Sequence, residues 1–422
     1  MIAAHPFSAL LDPAQARGRL ELEARTLWGE TLEVTHCEVL HVWRKIHARP
    51  ASAHKSIARV SFRLGLHDRR DDSYTDTLVH GLLSLEGQAV RVSLHRFPED
   101  PALPQLAALA DPQRVLQQAP AAVAAHCGRG PATRVEVISF RPGERCSLRI
   151  AGRGTAQMAA FAKTFRDDSG AVLADRLTQL SRSSLARMPG LVWPRLLAYD
   201  AVNRTIWQEA VTGAKPFLDY PPRRSMARGP WRELGAVLAA LHATPLEGVA
   251  RFDASQRLFE AGKKVTKLEN AGLAGATAAR ATLRRCEAQF DELPRHEGVQ
   301  LHGDLHIGQL ARTGNRIALF DFDEVVEGPA EQDLASLRVS IESTGAIRTA
   351  TVRAFAAVLA GYVDAGGRAP DAAALDWHYR LQQIDRAYRD YWRHDTAAFG
   401  RIGTALRRAH RGLGVAGRRE VA

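Results

Sequence analysis

Between Leu32 and Leu94, apolar and polar residues alternate in four runs, Leu32–Trp43, Ala58–Leu64, Leu78–Leu83 and Ala89–Leu94. Alternation with period two predicts four antiparallel strands with one buried face. The polar insert Asp68–Ser73 reads as a loop of that sheet. Residues 1 to about 25 read as a helix, Pro98–Pro104 as a proline-punctuated linker and Leu106–Gln118 as a short helix. The pattern leaves two readings open for this region: a separate cap, or an extension of the next sheet.

Two further alternating runs, Arg134–Phe140 and Cys146–Ile150, flank Arg141-Pro-Gly-Glu-Arg145 and predict a hairpin. Ala159–Phe165 reads as an apolar strand containing Lys163, a residue that is usual at a sheet edge with its amine in water. A helix over 170–184 and two strands, Leu191–Asp200 and Arg204–Gly213, follow. The texture then turns helical. Apolar positions 231, 234, 237, 238 and 241 mark an amphipathic helix over Gly229–His242, and helices follow in Gln256–Leu293, Thr349–Ala365, Ala372–Asp395 and after Arg401. Trp377, Leu381, Ile384, Tyr388 and Tyr391 recur at helical spacing as a core stripe. The fold class is α+β, with a β-rich N-terminal part and a mainly helical C-terminal part. The expected divisions are 1–125, 126–213 and 214–422.

The chemistry concentrates in Leu301-His-Gly-Asp-Leu-His-Ile-Gly-Gln-Leu310 and Ile317-Ala-Leu-Phe-Asp-Phe-Asp323. The first places Asp304 in a polar turn and Gln309 five positions later. The second is a short buried strand delivering Asp321 at its end. Phosphoryl transfer needs a carboxylate beside the accepting hydroxyl, an amide oxygen and a second carboxylate on magnesium, and cations on the phosphates. Magnesium takes oxygen ligands and keeps waters and phosphates in its shell, so few protein ligands are required.

The two segments, in this order and separation, resemble the aminoglycoside phosphotransferases and related small-molecule kinases, whose signature is His-Gly-Asp-x-x-x-x-Asn followed by Ile-Asp-Phe/Trp-Asp/Glu. The resemblance implies a bilobal, protein-kinase-like fold and transfer of the ATP γ-phosphate to a hydroxyl of a small molecule such as a sugar or aminoglycoside. It implies Asp304 as catalytic base, with Asp321, Asp323 and Gln309 on Mg2+. Gln309 departs from the family asparagine, moving the amide by about one C–C bond, roughly 1.5 Å, and adding a torsion. For ATP it implies Lys163 on the α- and β-phosphates, the hairpin turn with Arg145 over the phosphates, and the backbone of Gln208, Glu209, Ala210 and Val211 on the adenine. The helix after Lys163 should carry its acidic partner; it has no glutamate, and Asp175 is the carboxylate well inside it. Gly328-Pro-Ala-Glu-Gln-Asp-Leu-Ala335 resembles the family's Gly-Asp-Pro-x-x-Asp-Leu-Ala, in which Asp333 braces structure. His302 braces the loop, His306 lies on the substrate side, and His242 is structural. Asp385, Asp390 and Trp392 fall beside the 377–391 stripe, in the region with which family members bind their acceptor, and no substrate contact is assigned to them.

Composition narrows the rest. At 422 residues the chain has room for two or three domains or lobes. No apolar run approaches the roughly 18–20 residues needed to span a bilayer, and the N-terminus lacks a secretory signal pattern, so the expectation is cytoplasmic and without a membrane partner. Four cysteines without C-x-x-C spacing read as free buried thiols. The net charge of +11 comes mostly from arginine, with no recognisable nucleic-acid module and basic pairs at Arg407-Arg408 and Arg418-Arg419, which disfavours a nucleic-acid partner and suits an anionic ligand. Two competing readings remain: a nucleotide-binding pseudokinase, suggested by Gln309 and the missing glutamate, and a metal-dependent hydrolase using His302, Asp304 and His306.

Overall fold

The alternation at the start of the chain becomes a meander in the computed structural model, which describes residues 12–45, 57–86, 89–128, 130–152, 159–218, 228–294, 297–392 and 399–413. Helix α1 (Pro13–Trp28) is capped by Asp12, whose carboxylate accepts the Ala14 and Gln15 N–H groups at 2.9 and 3.3 Å. Strands β1 (Leu32–Lys45), β2 (Ile57–Asp68), β3 (Ser73–Glu86) and β4 (Ala89–Arg96) pair in chain order, all antiparallel. Their inward residues, Val34, Val60, Phe62, Leu64, Val79 and Leu83, close over Ala16 and Leu20 of α1. The first eleven residues of the expected helix lie outside the described residues.

The helix expected over Leu106–Gln118 is two short ones, α2 (Leu106–Ala110) and α3 (Val115–Gln118), followed by α4 (Ala121–Cys127). Pro112 cannot continue a helical hydrogen-bond ladder, which accounts for the break. Beyond them β5 (Arg134–Arg141), β6 (Arg145–Ala151), β7 (Ala159–Phe165), β9 (Leu196–Asp200) and β10 (Thr205–Glu209) form one sheet in the order β5-β6-β7-β10-β9. Lys163 therefore sits on the central strand rather than at an edge. The meander and this sheet are separate sheets, so the N-terminal region does not extend the second sheet.

Two strands are shorter than expected. The run Leu191–Asp200 divides at Trp193-Pro194: β8 (Leu191–Val192) pairs in parallel with β14 (Arg316–Leu319), and only β9 joins the five-stranded sheet. A proline without an N–H cannot carry one ladder through. The strand expected to reach Gly213 ends at Glu209, and β11 (Lys215–Pro216) then pairs with β13 (Leu310–Thr313).

Chain contacts divide the molecule into two compact units, Met1–Ala171 with Leu197–Trp207 and Arg389–Phe399, and Val172–Leu196 with Gln208–Tyr388 and Gly400–Ala422. The expected boundary near residue 125 falls inside the first. The second is mainly helical: α5 (Ser169–Arg182) enters it, followed by α6 (Arg228–His242), α7 (Ala254–Asn270), α8 (Ala276–Gln289), α9 (Ala330–Glu342), α10 (Arg348–Asp364), α11 (Ala372–Trp392) and α12 (Phe399–Arg411). It also holds a four-stranded sheet, β11-β13-β14-β8, and a two-stranded one made by β12 (Val299–Leu301) and β15 (Val326–Gly328). In α11 the stripe behaves as a core face for Trp377, Leu381 and Ile384, all fully buried, while Tyr388 and Tyr391 are half-buried. With its β-rich first unit and helical second unit, the protein has the α+β class expected.

All four cysteines are free and buried, and burial pushes their thiols up, Cys37 and Cys127 to about 11 and Cys146 and Cys286 to about 12. Among the described residues no helix is long and apolar enough to cross a membrane. Arg418-Arg419 lies outside the described residues.

Candidate active site

Strand β12 delivers the chain into the loop that begins at His302. Gly303 follows with φ +85°, and a Cβ there would lie 1.9 Å from the Glu324 carbonyl oxygen. Only glycine meets both conditions, and its absence of a side chain lets the loop lie directly against the segment after β14. The loop is held from α9. Asp333, fully buried, accepts the main-chain N–H groups of His302 and Gly303 at 2.7 and 3.1 Å. Burial pushes its carboxyl up, but the hydrogen bond and charge of His242 and the neighbouring His302 outweigh it and hold Asp333 below the usual carboxylate range. His242 Nε2 is 3.4 Å from Asp333 and its Nδ1 is 2.9 Å from the Tyr362 hydroxyl, so His242 is a buried strut. Ser340 Oγ accepts the Ile307 N–H at 2.8 Å. Between these anchors Asp304 keeps 42% of its side chain exposed, with His306 Nε2 3.9 Å from its carboxylate.

The second motif is bound to the first through main chain and side chain. Strands β13 and β14 pair antiparallel from Leu310↔Leu319 to Thr313↔Arg316, and Ile317, Ala318 and Leu319 are fully buried, which drives β14 inward. His302 Nε2 lies 2.8 Å from the Phe320 carbonyl, and the Phe320 N–H donates to the Gln309 carbonyl at 3.0 Å. Asp321 then takes a left-handed conformation, φ 64° and ψ 64°. A non-glycine residue there costs on the order of 1–3 kcal/mol and persists only where its surroundings over-determine it. Gln309 Nε2 donates to Asp321 Oδ2 at 3.0 Å, so positions twelve apart in the chain share one locus. Asp323 lies in the turn Phe322–Glu324, and its carbonyl accepts a hydrogen bond from Arg176 of α5. An amide and a carboxylate brought together this way offer oxygen donors of the kind a hard divalent cation takes.

Sequence pattern gives no sign of Arg176. The helix after Lys163, expected to carry that lysine's acidic partner, also touches the second motif, through this arginine. Asp175, next to it, is exposed and accepts from Gln179 Nε2 at 2.7 Å. Lys163 stands opposite Ser147, and Arg145, at the start of β6, opposite Phe165. Gln208 Nε2 donates to the Pro194 carbonyl at 3.3 Å and the Glu209 N–H to the Arg195 carbonyl at 2.8 Å, so that main-chain donor is already engaged. Ala210 and Val211, half-buried, follow the end of β10. Asp385 is committed to an ion pair with Arg257 and to Lys264 Nζ at 2.8 Å.

The hydrolase reading fails on geometry. The ring of His302 is buried and aimed at the Phe320 carbonyl, and among the described residues no three His, Cys, Asp or Glu side chains are grouped to hold a metal ion.

The sequence model of the phosphotransferase enzyme family (APH) matches residues 173–378. No curated protein sequence matches the chain. Among solved structures, a macrolide 2'-phosphotransferase, MphH from Brachybacterium faecium, is 20% identical over 67% of this chain and 96% of its own, with a TM-score of 0.47. The choline kinase LicA from Streptococcus pneumoniae is 14% identical over 67% of this chain and 94% of its own, also at 0.47. The AMP-bound spectinomycin phosphotransferase APH(9)-Ia is 14% identical over 66% and 93%, at 0.49. The family match takes in both motifs and the Asp333 segment, so residues 173–378 of this chain are similar to the phosphotransferase enzyme family.

Proposed function

We propose that this protein is a magnesium-dependent kinase that moves the γ-phosphate of ATP to a hydroxyl of a small molecule, a sugar, an aminoglycoside or a related metabolite. The observation that carries the reading is the 3.0 Å contact of Gln309 with Asp321 beside a loop in which Asp304 stays accessible. Asp304 orients the acceptor hydroxyl and takes its proton as the oxygen attacks phosphorus. Lys163 and Arg145 neutralise phosphate charge, and the 208–211 main chain holds the base. Gln309, Asp321 and Asp323 would hold Mg2+, which when bound offsets charge on the phosphates. With the loop pinned by Asp333 and Ser340, catalysis rests on position and electrostatics.

The test is ATP consumption against a panel of alcohols, with and without magnesium. Asp304→Ala should lower kcat by about 10²–10⁴-fold, the range for loss of a general base, with the fold intact. Gln309→Asn should preserve or raise magnesium-dependent turnover, and Gln309→Ala should raise the magnesium requirement. Unchanged magnesium dependence in Gln309→Ala would remove it from the ligand set. Tight ATP binding with no turnover on any acceptor would favour the pseudokinase.

A further inference from the structure

A pocket of about 270 Å³ opens among α9, α10, α11 and α12, and among the described residues its lining is dominated by charge of one sign: Arg338, Arg348, Arg408 and Arg411 against one carboxylate, that of Glu342, with Tyr379 beside it. That carboxylate is already engaged. Glu342 accepts from Arg338 Nε at 2.9 Å, from the Tyr379 hydroxyl at 2.8 Å and from Gln383 Nε2 at 3.1 Å, and Arg408 lies 3.8 Å away. Arg348 and Arg411 are exposed, and among the described residues neither has a carboxylate within ion-pair distance. Among the described lining residues, four guanidinium groups thus meet one acid, whose hydrogen bonds are spent on the pocket floor.

The wall carrying two of these arginines is built firmly. Arg380 of α11, 1% exposed, pairs with Asp376 at 2.9 Å and donates to the carbonyls of Ala409 and His410 at 2.9 and 2.7 Å, at the C-terminal end of α12. The Leu413 N–H donates to Asp376 at 2.6 Å, and Gly412, at φ +68°, has its Cβ position 2.2 Å from Arg380. Arg408 and Arg411, three residues apart, share a face of α12. The pocket is also separate from the Asp304 loop. Arg338 and Glu342 are four apart on one face of α9, whereas Ser340, which holds Ile307, is about 200° around the helix from each.

We propose that this pocket binds a phosphoryl-bearing small molecule at a site distinct from the Asp304 loop. Planar guanidinium forks match phosphate oxygens two at a time, and a phosphate monoester, with about −1.5 to −2 charges near neutrality, offsets the excess that one monocarboxylate would leave. The volume exceeds that of a bare phosphate ion and leaves room for an organic group. This inference does not depend on the kinase reading.

The test is calorimetric titration of the full chain, in EDTA, with glycerol 3-phosphate, inorganic phosphate and glycerol, comparing the native protein with Arg348→Gln/Arg411→Gln. Both positions are exposed, so the unliganded Tm and magnesium-dependent ATP turnover should not change. Glycerol 3-phosphate should bind the native protein, and at least about tenfold more weakly the double variant, with affinity falling as salt rises. Arg348→Lys, which keeps the charge and loses the fork, should fall between them. Tighter binding of the ester than of inorganic phosphate identifies an organic phosphate as occupant, and equal binding identifies the free ion. Absence of phosphate binding, equal affinity in the double variant, or equal binding of glycerol overturns the proposal, whatever the ATP turnover.

Discussion

Two turns of this molecule are held by buried aspartates that lie outside them. In the second unit Asp333 accepts the N–H groups of His302 and Gly303, and is itself backed by His242 and, through it, Tyr362. In the first unit Asp100, 6% exposed, accepts the Gly143 N–H of the β5–β6 turn at 2.7 Å and the Ala102 N–H at 2.9 Å. Around it Arg59 reaches Glu144 at 3.2 Å, and the rings of His80 and Phe97 meet Phe140 edge-on at 5.2 and 5.5 Å. The Asp333 anchor is wholly desolvated and wired to two other buried polar groups. The Asp100 anchor has a flank at the surface, where Arg59 and Glu144 keep 27% and 36% of their side chains in water. A charge in a dry network is costly to disturb, because every partner is stranded with it; one with a wet flank lets water replace what is lost. Through Arg59 and His80 the N-terminal meander packs on the hairpin and braces its turn, which gives that extra sheet a physical role.

The largest effect expected is at Asp333. Asp333→Ala should destabilise the protein by about 3–5 kcal/mol, the scale for breaking a buried charged network, and abolish phosphoryl transfer by releasing the loop. Urea denaturation with a turnover assay checks both, and a loss under ~1 kcal/mol would break the comparison. Asp100→Ala should cost less, about 1–3 kcal/mol for stranding one main-chain donor. If the hairpin turn covers the phosphates, the variant should raise KM for ATP while kcat stays near native; a fall in kcat at constant KM would contradict that role. The smallest effect is on pH dependence. Burial pushes the His80 imidazole down to about 4, opposed by the Asp100 carboxylate and aided by His95. Unfolding restores it to near 6.5, so the unfolded chain binds the extra proton, and the stability contribution is full above pH 6.5 and is lost as pH falls towards 4. Between pH 7 and 5.5 this should remove on the order of 1 kcal/mol, a slope that His80→Phe should flatten in urea titrations.

The legibility of these regions differed for the same reason. Asp333 is readable because it stands in a motif of fixed spacing, and His302, Asp304, Gln309 and Asp321 likewise lie within 20 residues of one another. Asp100 lies 43 residues before the turn it holds, in a segment that reads as a linker, and no local pattern announces such a pairing. Arg176 was hidden similarly: its contact with Asp323 crosses 147 positions, while the neighbouring Asp175 matched the charge expected. Strand lengths went astray at Pro194 and after Glu209, where tertiary partners divided runs that were continuous in hydrophobic pattern.

By itself, the sequence determined the four-stranded meander, the hairpin and the Lys163 strand, the helical second half, and the closeness along the chain of the two acidic motifs. Side-chain period and local spacing specify these, and both are properties of neighbours along the chain. Only the tertiary structure decided that Gln309 meets Asp321, that Asp321 is left-handed, that Asp175 faces water, and that four arginines from three helices converge on one pocket. Each depends on which distant segment supplies the hydrogen-bond partner or occupies the space, and the packing of the whole chain fixes that.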